Sequence, residues 1–215
     1  MKDIAGLYVI IDPAACRGRE PVAIARAALA GGASAIQWRD KQRDKGEQLA
    51  AARAIRDLCR QHDAVFIIND HVDLMLALAA EDGAGAESLG VHVGQKDLPL
   101  EDVRRILRGA PFVVGVSTNN PDEAANAQRN GASYVAVGDI FGTTSKQGTR
   151  AASPKRLAEV RAAVTLPVIG IGGINRSNVG QVMAAGASGV AVISAVCSAE
   201  DPEAAAHELI AAMKA

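Results

Sequence analysis

At 215 residues, 49% of them apolar and 22% charged, the chain can bury one sizeable core, and no apolar run is long enough to span a bilayer. A formal net charge of −1 offers no general attraction for nucleic acid or an acidic membrane surface, so any anion site has to be built locally. Cys16, Cys59 and Cys197 form an odd, widely spaced set that argues against a disulfide framework or a structural zinc site and points to a reducing, cytoplasmic setting. Met1-Lys2-Asp3 carries no signal-peptide pattern.

Short apolar runs fall at 7–11, 35–39, 65–69, 89–94, 112–117, 134–138, 167–172 and 190–193. Helix-compatible stretches lie between them at 22–30, 47–61, 72–80, 100–107, 121–129, 153–164, 177–184 and 202–213. Gly32-Ala33-Ser34, Gly131-Ala132-Ser133 and Gly186-Ala187-Ser188 each follow an Ala-rich helical stretch and precede a buried strand, which reads as helix, left-handed glycine stop, strand. Eight strands alternating with eight helices predict right-handed βα crossovers and one closed (β/α)₈ barrel domain over residues 1–215, an open doubly wound sheet being the alternative. The connection Gly83-Ala84-Gly85-Ala86 reads as a flexible surface segment.

In such a barrel, the residues after each strand gather at one mouth. After strand two, the period of two sends Gln37, Arg39 and Lys41 to one side and Trp38 and Asp40 to the other. A planar cation beside an ammonium suits a phosphate or pyrophosphate, although both side chains could equally point into water. Strand three ends in Asn69-Asp70 and strand four runs into Gln95-Lys96-Asp97; each acid is either a helix cap or one of two carboxylates able to share Mg²⁺ with phosphate oxygens. Strand five ends in Ser117-Thr118. The long 139–149 loop after strand six, rich in hydroxyls around Lys146, has the look of a lid closing over anions. Gly172-Gly173 after strand seven and Ile193-Ser194 after strand eight offer bare backbone to a second phosphate. His92 reads as a packed barrel residue, and Trp38 and Phe141 as packing residues that could wall an aromatic ring.

Taken in order, Gln37-Trp38-Arg39-Asp40-Lys41, Ile68-Asn69-Asp70, His92 to Asp97, Gly115-Val116-Ser117, Thr143 to Lys146, Gly170 to Ile174 and Val192 to Ala195 resemble the thiamine-phosphate synthase family along nearly the whole chain. The resemblance implies an enzyme that joins hydroxymethylpyrimidine pyrophosphate to hydroxyethylthiazole phosphate, through departure of pyrophosphate and capture of a pyrimidine carbocation by the thiazole nitrogen. It implies that Gln37, Trp38, Arg39, Asp40, Lys41, Asn69, Ser117 and Lys146 bind the pyrimidine pyrophosphate, with Arg39, Lys41, Lys146 and Ser117 at the reaction. It places Mg²⁺ on Asp70 and Asp97, and the thiazole phosphate on Thr143, Thr144, Ser145, Gly173, Ile193 and Ser194. Small-molecule substrates, no nucleic acid and no membrane are expected, and a homodimer is left open. Asp139 and Gly142 stand where the family usually has proline, and Ser145 where threonine is common. The related thiazole tautomerase relies on a histidine soon after strand five, where this chain has Ser117-Thr118-Asn119-Asn120.

Overall fold

The structure, a computed structural model, describes residues 4–82, 86–142 and 150–214. Eight parallel strands form one closed barrel in chain order: β1 (Gly6–Ile11), β2 (Ala35–Trp38), β3 (Val65–Asn69), β4 (Leu89–Val93), β5 (Val113–Thr118), β6 (Tyr134–Val137), β7 (Val168–Ile171) and β8 (Gly189–Val192). Tyr8 of β1 lies opposite Ala35 of β2 on one side and Ala191 of β8 on the other, so the sheet closes on itself. That β1–β8 ladder makes the fold a (β/α)₈ barrel and excludes the open sheet.

Around the barrel run α1 (Pro21–Ala30), α2 (Lys45–Gln61), α3 (Val72–Asp82), α4 (Leu100–Ile106), α5 (Pro121–Arg129), α6 (Pro154–Ala163), α7 (Val179–Ala184), α8 (Ser194–Cys197) and α9 (Pro202–Met213). The expected helical stretches are all present, and the structure adds the short α8 directly after β8. Local chemistry sets the boundaries. The side chains of Asp44, Asn120, Ser153 and Asp201 accept backbone N–H groups at the starts of α2, α5, α6 and α9. Gly32, Gly131 and Gly186 take φ of 97°, 85° and 91°, the left-handed stops read from the Gly-Ala-Ser repeat. No helix among the described residues is long and apolar enough to cross a membrane.

Strands buried on both faces sort their side chains by parity into two cores. Tyr8, Ile10, Ala35, Val65, Ile67, Val113, Tyr134, Ala136, Ile169 and Ala191 fill the barrel, while Trp38, Phe66, Ile68, Val91 and Val135 pack outward against the helices. Gly115 makes room for Tyr134: a Cβ there would lie 2.1 Å from the tyrosine Cζ. A bulky phenol therefore occupies the interior of the barrel, beside Tyr8. The barrel's polar chemistry begins from that ring.

Candidate active site

At the C-terminal ends of the strands opens a cavity of about 850 Å³. The structure brings Gln37, Arg39, Lys41, Asn69, Asp70, Asp97, Ser117, Gly173, Ile193 and Ser194 to its walls, from six of the eight βα units. The alternation of strands requires this convergence, because each of these residues sits at or just past a strand end.

Two expectations need correcting. Trp38, 1% exposed, packs in the layer between sheet and helices, with the Arg43 guanidinium 5.9 Å from its ring centroid. Asp40, 4% exposed, accepts from the backbone N–H of Gln42 at 2.9 Å and of Arg43 at 3.2 Å. Neither residue lines the cavity. Strand parity sends Trp38 outward, and the turn into α2 uses the Asp40 carboxylate. Of the loop expected to act as a lid, Thr143, Thr144, Ser145 and Lys146 lie outside the described residues, as do residues 83–85 of the surface connection. The base of that loop is hydrogen-bonded to its surroundings. Asp139 N–H donates to Arg150 O at 2.7 Å, Ile140 N–H to Ile171 O at 3.1 Å and Phe141 N–H to Gly172 O at 3.1 Å.

On the β2–β4 rim each principal cation rests against an acid. Arg39 Nη1 is ion-paired with Asp12 Oδ2, both side chains nearly buried. Lys41 Nζ donates to Asp70 Oδ2 at 2.6 Å and stays half exposed. Asp97 Oδ2 accepts from Gly94 N–H at 2.8 Å instead of capping α4. Across the mouth, Arg150 donates through both Nη atoms to Glu123 at 2.6 Å each and holds that carboxyl below its usual range. Among the described residues no cluster of three or more His, Cys, Asp or Glu side chains forms a metal cage. Asp70 and Asp97 both face the cavity, and each has a second carboxylate oxygen beyond the bond just described. Such a pair suits a hard cation completed by phosphate oxygens.

The floor carries a hydrogen-bonded relay. Gln37 Nε2 donates to Tyr8 OH at 2.7 Å, Tyr8 and Tyr134 hydroxyls meet at 3.0 Å, Tyr134 OH lies 3.0 Å from His92 Nδ1, and His92 Nε2 lies 2.9 Å from Ser117 Oγ. Burial pushes both phenols well above their ordinary pKa, so they are neutral and each has one proton to place. With His92 protonated on Nε2, Tyr8 donates to Tyr134 and Tyr134 donates to His92 Nδ1, which places both phenol protons. Ser117 Oγ then accepts from His92. Its own hydroxyl proton is left to donate into the cavity.

Sequence reasoning missed Asp12, Tyr8, Tyr134, Arg17 and Arg150: Tyr8, Arg17 and Arg150 line the cavity, Asp12 pairs with Arg39, and Tyr134 links Tyr8 to His92 beneath it. A signal existed for some of them. The chain's two tyrosines sit at inward parity on β1 and β6, where a buried phenol needs a partner, and Asp12 follows its strand as Asn69 ends its own. His92 packs inside the barrel as expected, yet it also lines the cavity.

A sequence model of the family described as thiamine monophosphate synthase matches residues 7–196. The chain is 44% identical over 204 residues to the thiamine-phosphate synthase of Methanospirillum hungatei, covering 94% of this chain and 95% of the relative. It is 46% identical over 193 residues to that of Chlorobium limicola, covering 89% of this chain and 88% of the relative. The solved thiamine phosphate pyrophosphorylase of Pyrococcus furiosus superimposes with a TM-score of 0.85 at 35% identity, over 98% of this chain and 96% of that one. A Mycobacterium tuberculosis tryptophan synthase structure, TM-score 0.71 at 20% identity, shares the fold. With the strand-end residues converging on one mouth and the match running through nearly every βα unit, this chain belongs to the thiamine monophosphate synthase family.

Proposed function

We propose that the protein condenses hydroxymethylpyrimidine pyrophosphate with hydroxyethylthiazole phosphate, giving thiamine phosphate and pyrophosphate. The observation that carries this reading is the division of one cavity into two unlike anion-seeking rims. The β2–β4 side presents Arg39, Lys41, Asp70 and Asp97, and the β7–β8 side presents Gly173, Ile193 and Ser194 with no charged side chain of its own. A diphosphate leaving group suits the first rim and a phosphate monoester the second. A ligand with one anionic group would leave one of them without purpose.

Pyrophosphate departs only when its developing charge is neutralised, and preorganised cations supply that neutralisation best in a site with little water. Arg39 and Lys41 leave Asp12 and Asp70 to pair with the diphosphate oxygens, so the resting ion pairs hold both cations in place beforehand. Ser117, oriented by the relay through His92, donates its hydroxyl proton to the same group. Lys146 is assigned to this charge cluster from sequence alone. The residues present fit a magnesium ion on Asp70 and Asp97, which would supply further neutralisation of the diphosphate. Ile10, Ala136, Ile171, Ala191 and Ile193 leave an apolar wall around the bond that breaks, keeping water from a carbocation that the thiazole nitrogen must capture. No protein nucleophile is needed. Against the tautomerase reading, Asn119 binds the carbonyls of Gly138 and Arg150, and Asn120 caps α5, where that enzyme would need a histidine.

The test is a pyrophosphate-release assay with purified protein. Release should require both substrates and fall away when a chelator removes divalent cations. Release without the thiazole phosphate, or none with both substrates and magnesium present, would overturn the reading.

A further inference from the structure

The β7–β8 rim poses a charge problem. Its cavity-lining residues run from Ile171 to Asn175 and from Ala191 to Ala199, and every side chain among those that reach the cavity is uncharged. A phosphate monoester is dianionic or nearly so at neutral pH, and backbone N–H groups alone hold such a charge less firmly than a site with a cation. A cation that strengthens this rim would come from a neighbouring unit.

Of the described cations that line the cavity, Arg39, Lys41 and Arg150 are each ion-paired, to Asp12, Asp70 and Glu123. Lys96 and Arg17 have no ion-pair partner among the described residues, and Lys96 belongs to the β4 side. Arg17 belongs to the β1–α1 loop, which three hydrogen bonds fasten to the end of β8's own helix. Ser198 Oγ donates to Ala15 O at 2.8 Å, Arg19 Nη2 to Cys197 O at 2.7 Å and Arg19 Nη1 to Glu200 O at 3.3 Å. The barrel closes β1 against β8, so this loop adjoins the rim that lacks a charge.

We propose that Arg17 is the cation of the thiazole-phosphate subsite, a substrate-binding residue that selects the phosphorylated thiazole over its free alcohol. This rests on the two-substrate reading above. Arg17 has φ of 54°, beside Gly18 at 75°, in a conformation that glycine adopts freely and arginine does not. Positive φ is not itself a mark of function here, since Asp63 and Arg108 share it at the ends of α2 and α4. It does supply a clean variant, because Arg17→Gly removes the charge while easing the backbone.

In steady-state assays, Arg17→Gly and Arg17→Gln should raise KM for the thiazole phosphate about tenfold, with kcat and KM for the pyrimidine pyrophosphate within about twofold of wild type. Arg17→Lys should recover most of the loss. Calorimetric titration of thiazole phosphate into the resting protein should show the same weakening in Arg17→Gly, while the unphosphorylated thiazole alcohol should bind wild type and variant alike. Unchanged affinity for thiazole phosphate in Arg17→Gly would overturn the proposal, and so would an equal loss for both substrates. Should the wild type bind thiazole phosphate yet release no pyrophosphate, the condensation reading fails alone, and the titration still decides the role of Arg17.

Discussion

On the proposed function, the two rims of the cavity solve the same problem, holding an anion, with opposite means. The β2–β4 rim uses side chains, and it stores its cations against acids: Arg39 on Asp12 and Lys41 on Asp70. The β7–β8 rim offers glycine backbone and a hydroxyl, and the adjoining β1–α1 loop carries a described cation with no ion-pair partner among the described residues, Arg17. A rim of exchangeable ion pairs can follow a charge that grows during reaction, since its cations are already ordered and only change partner. A backbone rim holds a charge that stays constant. On that reading the first rim is where a bond breaks and the second where a group is simply anchored, so variants on the two sides should separate kcat from KM.

The largest effect should come from the side-chain rim. Arg39→Ala is expected to lower kcat by at least about a hundredfold, as loss of preorganised charge at a leaving group does. It also leaves the nearly buried Asp12 without its cation. Near-normal turnover would collapse the distinction between the rims. A smaller loss should follow on the backbone side. A Cβ at Gly173 would lie 2.3 Å from Gly142 O at a φ of 63°, so Gly173→Val should raise KM for the thiazole phosphate by roughly tenfold or more with a lesser effect on kcat. An unchanged KM, in a variant whose circular dichroism matches wild type, would move the anchor elsewhere.

The smallest effect tests the floor that both rims share. Tyr8 and Tyr134 have folded pKa values raised above the usual 10.0 by burial, so the unfolded chain loses their protons first as pH rises. Their neutral, hydrogen-bonded state contributes stability that is intact below about pH 10 and declines above it, by up to about 1.4 kcal/mol per pH unit for each tyrosine. Urea unfolding between pH 9 and 11 should show a decline that the Tyr8→Phe, Tyr134→Phe double variant lessens. An identical alkaline slope in both proteins would mean that the phenols ionise while folded, against the neutral relay drawn here.

What the sequence determined by itself follows from periodicities of one element. Alternation of βα units, the glycine stops at 32, 131 and 186, and the placement of Arg39, Asn69, Asp70, Ser117 and Ser194 at strand ends are all local facts. The closed barrel then turns strand ends into one mouth, which is why most of the predicted site residues reached the cavity. Trp38 and Asp40 did not, because membership of a motif says nothing of direction, whereas strand parity and a turn's need for an acceptor do.

Only the tertiary structure could decide partners that lie far apart in the chain. Tyr8 meets Tyr134 across 126 positions, Arg39 finds Asp12 across 27, and the Arg17 loop is tied to α8 some 180 residues away, with Arg19 reaching Cys197 across 178. Arg39 and Asp12 meet because β1 and β2 lie side by side, the Arg17 loop meets α8 because β1 closes on β8, and Tyr8 meets Tyr134 because Gly115 leaves room for the ring. No local pattern encodes them, because a hydrogen bond or an ion pair is satisfied by whichever group the fold brings within reach. The chain's own rhythm therefore specified the mouth and most of its walls. The packing of neighbouring βα units specified which charges there are spent on each other.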